Sequence, residues 1–281
     1  MKGLKKDKTR MTLALISNAD GSHKLVPFII GHAAKPQCFK KKTGEELGFD
    51  YCNNSKAWMT GVLFQEWLQH FNDEIKVRSK FLAKSKMTLI FLIMYLLILL
   101  ITECLLQDRR VLLLLDNAPS HVTKDLVLSN VHVQMLPPNT TSWIPPMDAG
   151  IISAFKRHYR RFHLQNAVLR DECSESNVFH VDQLTAMNWS LAAWNEIIPQ
   201  TIINCFKHTG LFTFEEAGVD YHDSIEAIVE RDFMDALRSL SLHDPMSMEV
   251  LLNPVEEEEA AHMKVTTHTT NMIEEVGVNN R

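Results

Sequence analysis

Cysteine is too sparse and scattered here to build with. The five residues, Cys38, Cys52, Cys104, Cys173 and Cys205, include no C-x-x-C pair and no histidine partner at zinc-finger spacing. That pattern offers neither a disulfide framework nor a cysteine-ligated zinc site, and the thiols read as reduced groups of an intracellular protein. A signal peptide is missing too: MKGLKKDKTRMTLALI is highly charged, its apolar run is short, and no small-residue cleavage site follows. No segment repeats. Net charge is only −5 over 281 residues, but it is unevenly spread. Met1 to Lys42 carries ten Lys/Arg against Asp7 and Asp20, whereas Asp244 to Arg281 carries eight acids against Lys264 and Arg281. A basic end of this kind attracts a polyanion, although the same charges also suit ordinary solvated strands.

What is present reads as a globular α/β chain, 46% hydrophobic and 22% charged. Two short apolar runs, Met11 to Ser17 and Lys24 to Ile30, flank Asn18-Ala19-Asp20-Gly21, which predicts a β-hairpin. Thr60 then caps a helix whose Leu63, Phe64, Trp67, Leu68 and Phe71 recur at helical spacing. Val111 to Leu115 is continuously apolar, as expected of a central strand covered on both faces, and is expected in the same sheet as the hairpin. A helix around Thr123 to Ser129, a strand around Val131 to Leu136 and a proline-rich loop through Pro146 follow. Three helices are then expected at Ile151 to Arg170, about Val181 to Trp194 and about Pro199 to His208, with Thr209-Gly210 as a stop. The segment 216–243 reads as a helical extension, and 244–281, with Glu256 to Glu259, as a disordered acidic tail.

One stretch breaks this rhythm. Met87 to Ile101 is an uncharged apolar run of 15 residues, extended weakly to Leu106 and flanked by Lys84, Lys86, Arg109 and Arg110. Its length falls between a buried helix and a membrane span. A span would put strands of one sheet on opposite sides of a bilayer, whereas removing Arg78 to Leu106 leaves a helix-to-strand connection of ordinary length. The segment 78–108 is therefore read as an apolar insertion, and Met87 to Leu106 as the only part through which membrane association would arise.

The sharpest polar signal is VLLLLDNAPSH, which puts Asp116 at the end of a buried strand. An Asx turn leading to Pro119 accounts for that residue equally well by itself. A second acid, Asp148, stands 32 positions later, just before a helix, where a cap or first-turn acid is also an ordinary occupant. A helix, a strand and a loop fit between the two and can bring the carboxylates within roughly 4 to 8 Å of each other, the span of a two-metal site.

The words LLLLDNAPSH, LPPNTTSWIPPMDAGIISAFKRHYR and AWNEIIPQTIINCFKHTGLF resemble the DDE superfamily nuclease domain of Tigger/pogo transposases and their jerky and centromere protein B type relatives. The earlier words KDKTRMTLALISNADGSHKLVPFIIGHAAKPQCF and NNSKAWMTGVLFQEWL resemble the same domain's preceding strands and helix. The resemblance implies a ribonuclease H-like mixed sheet flanked by helices, incomplete at the amino terminus. It divides the nuclease-like domain into 1–77 and 109–215. It further implies a nuclear, DNA-binding protein with no small-molecule substrate, and says nothing of the oligomer.

In that family three acids hold two Mg2+ ions, Mn2+ being an alternative, for phosphodiester chemistry. Asp116 matches the second acid and Asp148 the third, as catalytic and metal-binding residues. His121 matches the histidine of the DNxPxH word, without an assigned role. The first acid lies on a strand upstream of the word matching Lys5-Lys6-Asp7-Lys8, so weak metal binding and no useful cleavage are expected. Lys156, Arg157, Arg160 and Arg161, on the helix after Asp148, are the expected phosphate contacts, on the solvated face of a helix packed through Ile151, Ile152, Phe155 and Phe162. Two alternatives stand beside this reading: a domesticated scaffold acting as a protein or DNA interaction module, and an active endonuclease whose missing acid comes from an upstream exon.

Overall fold

The structure is a computed structural model. It describes residues 10–93, with the backbone alone at 78–93, and 110–136, 145–210, Arg231, Met234, Asp235 and Arg238. The proline-rich loop from Pro137, the apolar run beyond Ile93 and the acidic tail lie outside the described residues. Contacts divide the chain into two compact units, Met1–Leu15 with Phe28–Pro145 and Ile16–Pro27 with Pro146–Arg281.

In the first unit β1 (Thr12–Ala14) pairs antiparallel with β2 (Phe28–Gly31), which pairs parallel with β3 (Asp50–Asn53). This is a small mixed sheet in a mixed α/β fold. Ile29 and Ile30 are fully buried, with Phe39, Phe49, Phe64, Leu68 and Phe71 completing an apolar core. Helix α1 (Gly61–Ile93) starts at Thr60, whose Oγ1 accepts the Leu63 N–H at 3.3 Å, and its buried Phe64, Leu68 and Phe71 follow the predicted spacing. The helix runs into the apolar segment without a break as far as Ile93. Among the described residues no helix is long and apolar enough to cross a membrane.

Strand β4 (Val111–Leu115) pairs parallel with β5 (Val131–Met135) in full register, Val111 opposite Val131 and Leu115 opposite Met135. Two expectations fail here. Among the described residues β4 and β5 form their own two-stranded sheet, apart from β1, β2 and β3. Leu112 is 54% exposed, so β4 is not covered on both faces. A run of leucines records apolarity but not which neighbour supplies the cover. The helix expected around Thr123 to Ser129 is also absent. That stretch is a turn, with Leu126 N–H on Thr123 O, Asp125 at φ 68° and Val127 87% exposed, so no apolar stripe pays for helix nucleation there.

A buried amide ties α1 to the second sheet. Asn72, only 2% exposed, accepts the Asn130 N–H on Oδ1 at 2.9 Å, and Asn130 O in turn accepts the Val111 N–H at 2.8 Å. Asn72→Ala leaves the Asn130 N–H without its acceptor and is expected to cost about 1–3 kcal/mol in urea unfolding, with Asn72→Asp costing less because an acceptor oxygen remains. Equal losses for the two variants would contradict the hydrogen-bond account.

The second unit holds the hairpin tip and three helices, α2 (Ile152–Glu172), α3 (Gln183–Glu196) and α4 (Pro199–His208). At the tip Gly21 N–H donates to Asn18 O, and a Ser17–Lys24 bridge closes the loop as predicted. Gly21 has φ 65°, and a Cβ there would meet Pro199 Cα at 2.6 Å, so the turn excludes a side chain for two reasons. Asp182 caps α3 by accepting the Thr185 N–H, and Pro199 opens α4. Lys24 Nζ donates to the carbonyls of Trp194 and Ile197, each at 2.6 Å, and so supplies donors at the end of α3.

Candidate functional site

Asp116 leaves the carboxyl end of β4 half-exposed. Its Oδ1 accepts two donors, the Ala118 N–H at 3.1 Å and His121 Nδ1 at 2.7 Å. His121 Nδ1 also lies 3.2 Å from the Asp116 carbonyl, and its ring packs on Phe64 at a centroid distance of 4.8 Å. Asn117 Nδ2 donates to Leu136 O and anchors the same turn to the end of β5. The hydrogen bond from His121 holds Asp116 below the usual carboxylate range, against the opposing pull of burial. Burial pulls His121 down, but the hydrogen bonds and charge of Asp116 outweigh it and leave the imidazole above its ordinary value. The two directions agree, and both describe an ion pair.

Asp148 belongs to the second unit. It is exposed, in the π-helical turn Met147–Ile151 that leads into α2, and is the acid of that first turn. Gly150, at φ 155°, makes the turn possible: an added Cβ would stand 3.0 Å from Cys205 Sγ. Proximity of the turn to α4 therefore explains the glycine two positions after the acid.

On α2 the buried face is Ile151, Ala154, Phe155, His158, Leu164 and Ala167, while Ile152 and Phe162 stay half-exposed rather than packing fully inward. Lys156, Arg157, Arg160 and Arg161 are all partly exposed. Arg161 is engaged within its own unit: Nη2 donates to Glu196 Oε2 at 2.5 Å, and its guanidinium lies 5.0 Å over the Phe162 ring. His158 Nδ1 donates to the same Glu196 oxygen at 2.7 Å. The sequence reading missed Glu196, since nothing in its local pattern shows which helix it faces.

Farther along α2, His163 Nε2 donates to Phe179 O at 3.1 Å, and burial pulls its pKa below the ordinary 6.5. A depressed imidazole is neutral in the fold and binds a proton more readily when unfolded, so stability falls as pH drops from about 6.5 toward the folded value. The urea midpoint is expected to decline with acid over that window, and less steeply in His163→Phe. Identical slopes would show that His163 does not carry the effect.

The donor type at Asp116 and Asp148 fits a hard divalent cation, being ionised carboxylate oxygen. The donor number is small: among the described residues no group of three or more His, Cys, Asp or Glu side chains is arranged to hold a metal. A cation held by these aspartates would keep most of its water.

The comparisons with known proteins agree on one family. The chain is similar to CENP-B homolog protein 2 of Schizosaccharomyces pombe, 27% identical over 265 residues, covering 92% of this chain and 46% of that protein. It is 25% identical to ARS-binding protein 1 of the same organism over 268 residues, 92% of this chain and 45% of that protein. It is 29% identical to Tigger transposable element-derived protein 4 of Mus musculus over 203 residues, 72% of this chain and 33% of that protein. The chain thus spans less than half the length of these curated relatives. No solved structure matches it. The model of the DDE superfamily endonuclease family matches residues 8–206, which include Asp116, Asp148 and the basic stretch of α2, and the chain belongs to that family.

Proposed function

We propose that this chain is a transposase-derived nuclease scaffold that binds DNA through phosphate contacts and does not cleave it at a useful rate. The observation that carries the reading is the cluster Lys156, Arg157 and Arg160, partly exposed on the helix that follows Asp148. Cations on one helix face give affinity without reading sequence. ARS-binding protein 1 is named for binding such an element, and the relatives make DNA the partner of choice and the nucleus the place of action.

The ribonuclease H-like form remains part of this reading, with 1–77 and 109–215 as two parts of one nuclease-like domain interrupted at 78–108. So does an approach of Asp116 and Asp148 to within about 4 to 8 Å, where they would share Mg2+ or Mn2+. When bound, the ion would supply charge stabilisation at a phosphate, and the residues of this chain would position it. Two aspartates fix too little of its coordination sphere for efficient in-line displacement.

The test is fluorescence anisotropy of a labelled duplex titrated with the purified chain at several salt concentrations. Binding that weakens linearly on a log–log scale and is indifferent to sequence supports the reading. Salt-independent binding, or none at low salt, contradicts it.

A further inference from the structure

We propose that His121 is the positioning residue of Asp116: its Nδ1–H holds Oδ1 and leaves Oδ2 as the single oxygen presented to a divalent cation. The proposal rests on the reading of Asp116 as a metal-facing acid. An ionised carboxylate only accepts, so the 2.7 Å contact requires the hydrogen to sit on His121 Nδ1. Oδ1 is then committed to His121 and to the Ala118 N–H, whereas Oδ2 has no hydrogen bond among the described residues.

The imidazole is itself held from several sides. Its backbone N–H donates to Ala118 O at 2.9 Å, and its ring packs against Phe64 of α1. The next residue, Val122, packs beside Gly61, where an added Cβ would come within 3.3 Å of Cγ2. A clamp fixed in this way by a helix holds the carboxylate in one rotamer. It also prevents both oxygens from closing on one ion, so ligation through Asp116 is monodentate.

Such outer partners of metal ligands typically affect affinity by about 10–100-fold. The chain should therefore be titrated with Mn2+ alone, following the free ion by electron paramagnetic resonance, with thermal unfolding run in parallel on every variant. Asp116→Ala sets the baseline. His121→Ala is expected to weaken Mn2+ binding about 10-fold or more, and His121→Asn, which keeps a side-chain N–H near the Nδ1 position, to stay within about threefold of the parent. Folded His121→Ala that binds like the parent overturns the clamp, as does His121→Asn that binds no better than His121→Ala. Asp116→Ala that binds like the parent is a different failure. It removes Asp116 from the metal site and takes the clamp's metal role with it.

Discussion

Replacing Lys156, Arg157 and Arg160 together by alanine is expected to weaken binding to a DNA duplex on the order of a hundredfold at low salt, at about 1 kcal/mol for each cation lost. The slope of log affinity against log salt should fall by about one per residue removed, and alike for unrelated sequences. These side chains alternate with the buried face of α2, so cutting them back to alanine keeps a good helix former and leaves Ala154, Phe155 and His158 undisturbed. Arg161→Ala provides the contrast. Its guanidinium is bonded to Glu196, so its loss should appear mainly as reduced stability, with a small change in salt slope. Anisotropy titrations combined with urea unfolding separate the two classes. A slope unchanged in the triple variant would move the DNA contact elsewhere.

Trp194→Ala is expected to destabilise the second unit by about 3–5 kcal/mol, the range for deleting a buried aromatic side chain. The indole is 1% exposed, and its Nε1–H donates to Leu25 O at 2.8 Å, joining the hairpin tip to α3. Lys24 Nζ lies 5.4 Å from the ring centroid while it bonds the Trp194 carbonyl, so truncation removes packing, a hydrogen bond and a cation–π contact together. Trp189→Ala should cost less, because that ring is only half-buried, against Tyr159 and His163. Urea unfolding followed by circular dichroism measures both. Equal costs at the two tryptophans would contradict the tip's dependence on Trp194.

Much of this fold is legible locally. The Asn18 to Gly21 turn, the Thr60 cap, the strand ending at Asp116 and the starts of α3 and α4 are each written in a few adjacent residues with a direct backbone consequence. Pairing is not local. VLLLL has the same sequence whether it sits in the middle of a large sheet or beside β5 alone, and the exposure of Leu112 cannot be read from its neighbours. Strand β3 escaped notice because Asp50-Tyr51-Cys52-Asn53 has exposed ends, half-exposed centres and no apolar alternation. At the candidate site the residue types of Asp116, Asp148 and the basic stretch were visible. What became of Arg161 was not, because its partner Glu196 lies 35 residues away and only the packing of α2 on α3 brings them together. His121 was visible as a motif letter, and its bond to Asp116 appeared only with the turn.

The central claim is that this chain binds DNA without cutting it, and the measurement that tests it most directly is nicking of supercoiled plasmid by the purified chain with Mg2+ or Mn2+. Asp116→Asn and Asp148→Asn are run beside it. Positioning in the transition state depends on ligand number more steeply than ion binding does, so the account predicts plasmid conversion at background level, the same for parent and both variants. Nicking by the parent that each substitution abolishes would contradict it. That result would require another acid of this chain to complete the site, with Asp20 the first to replace.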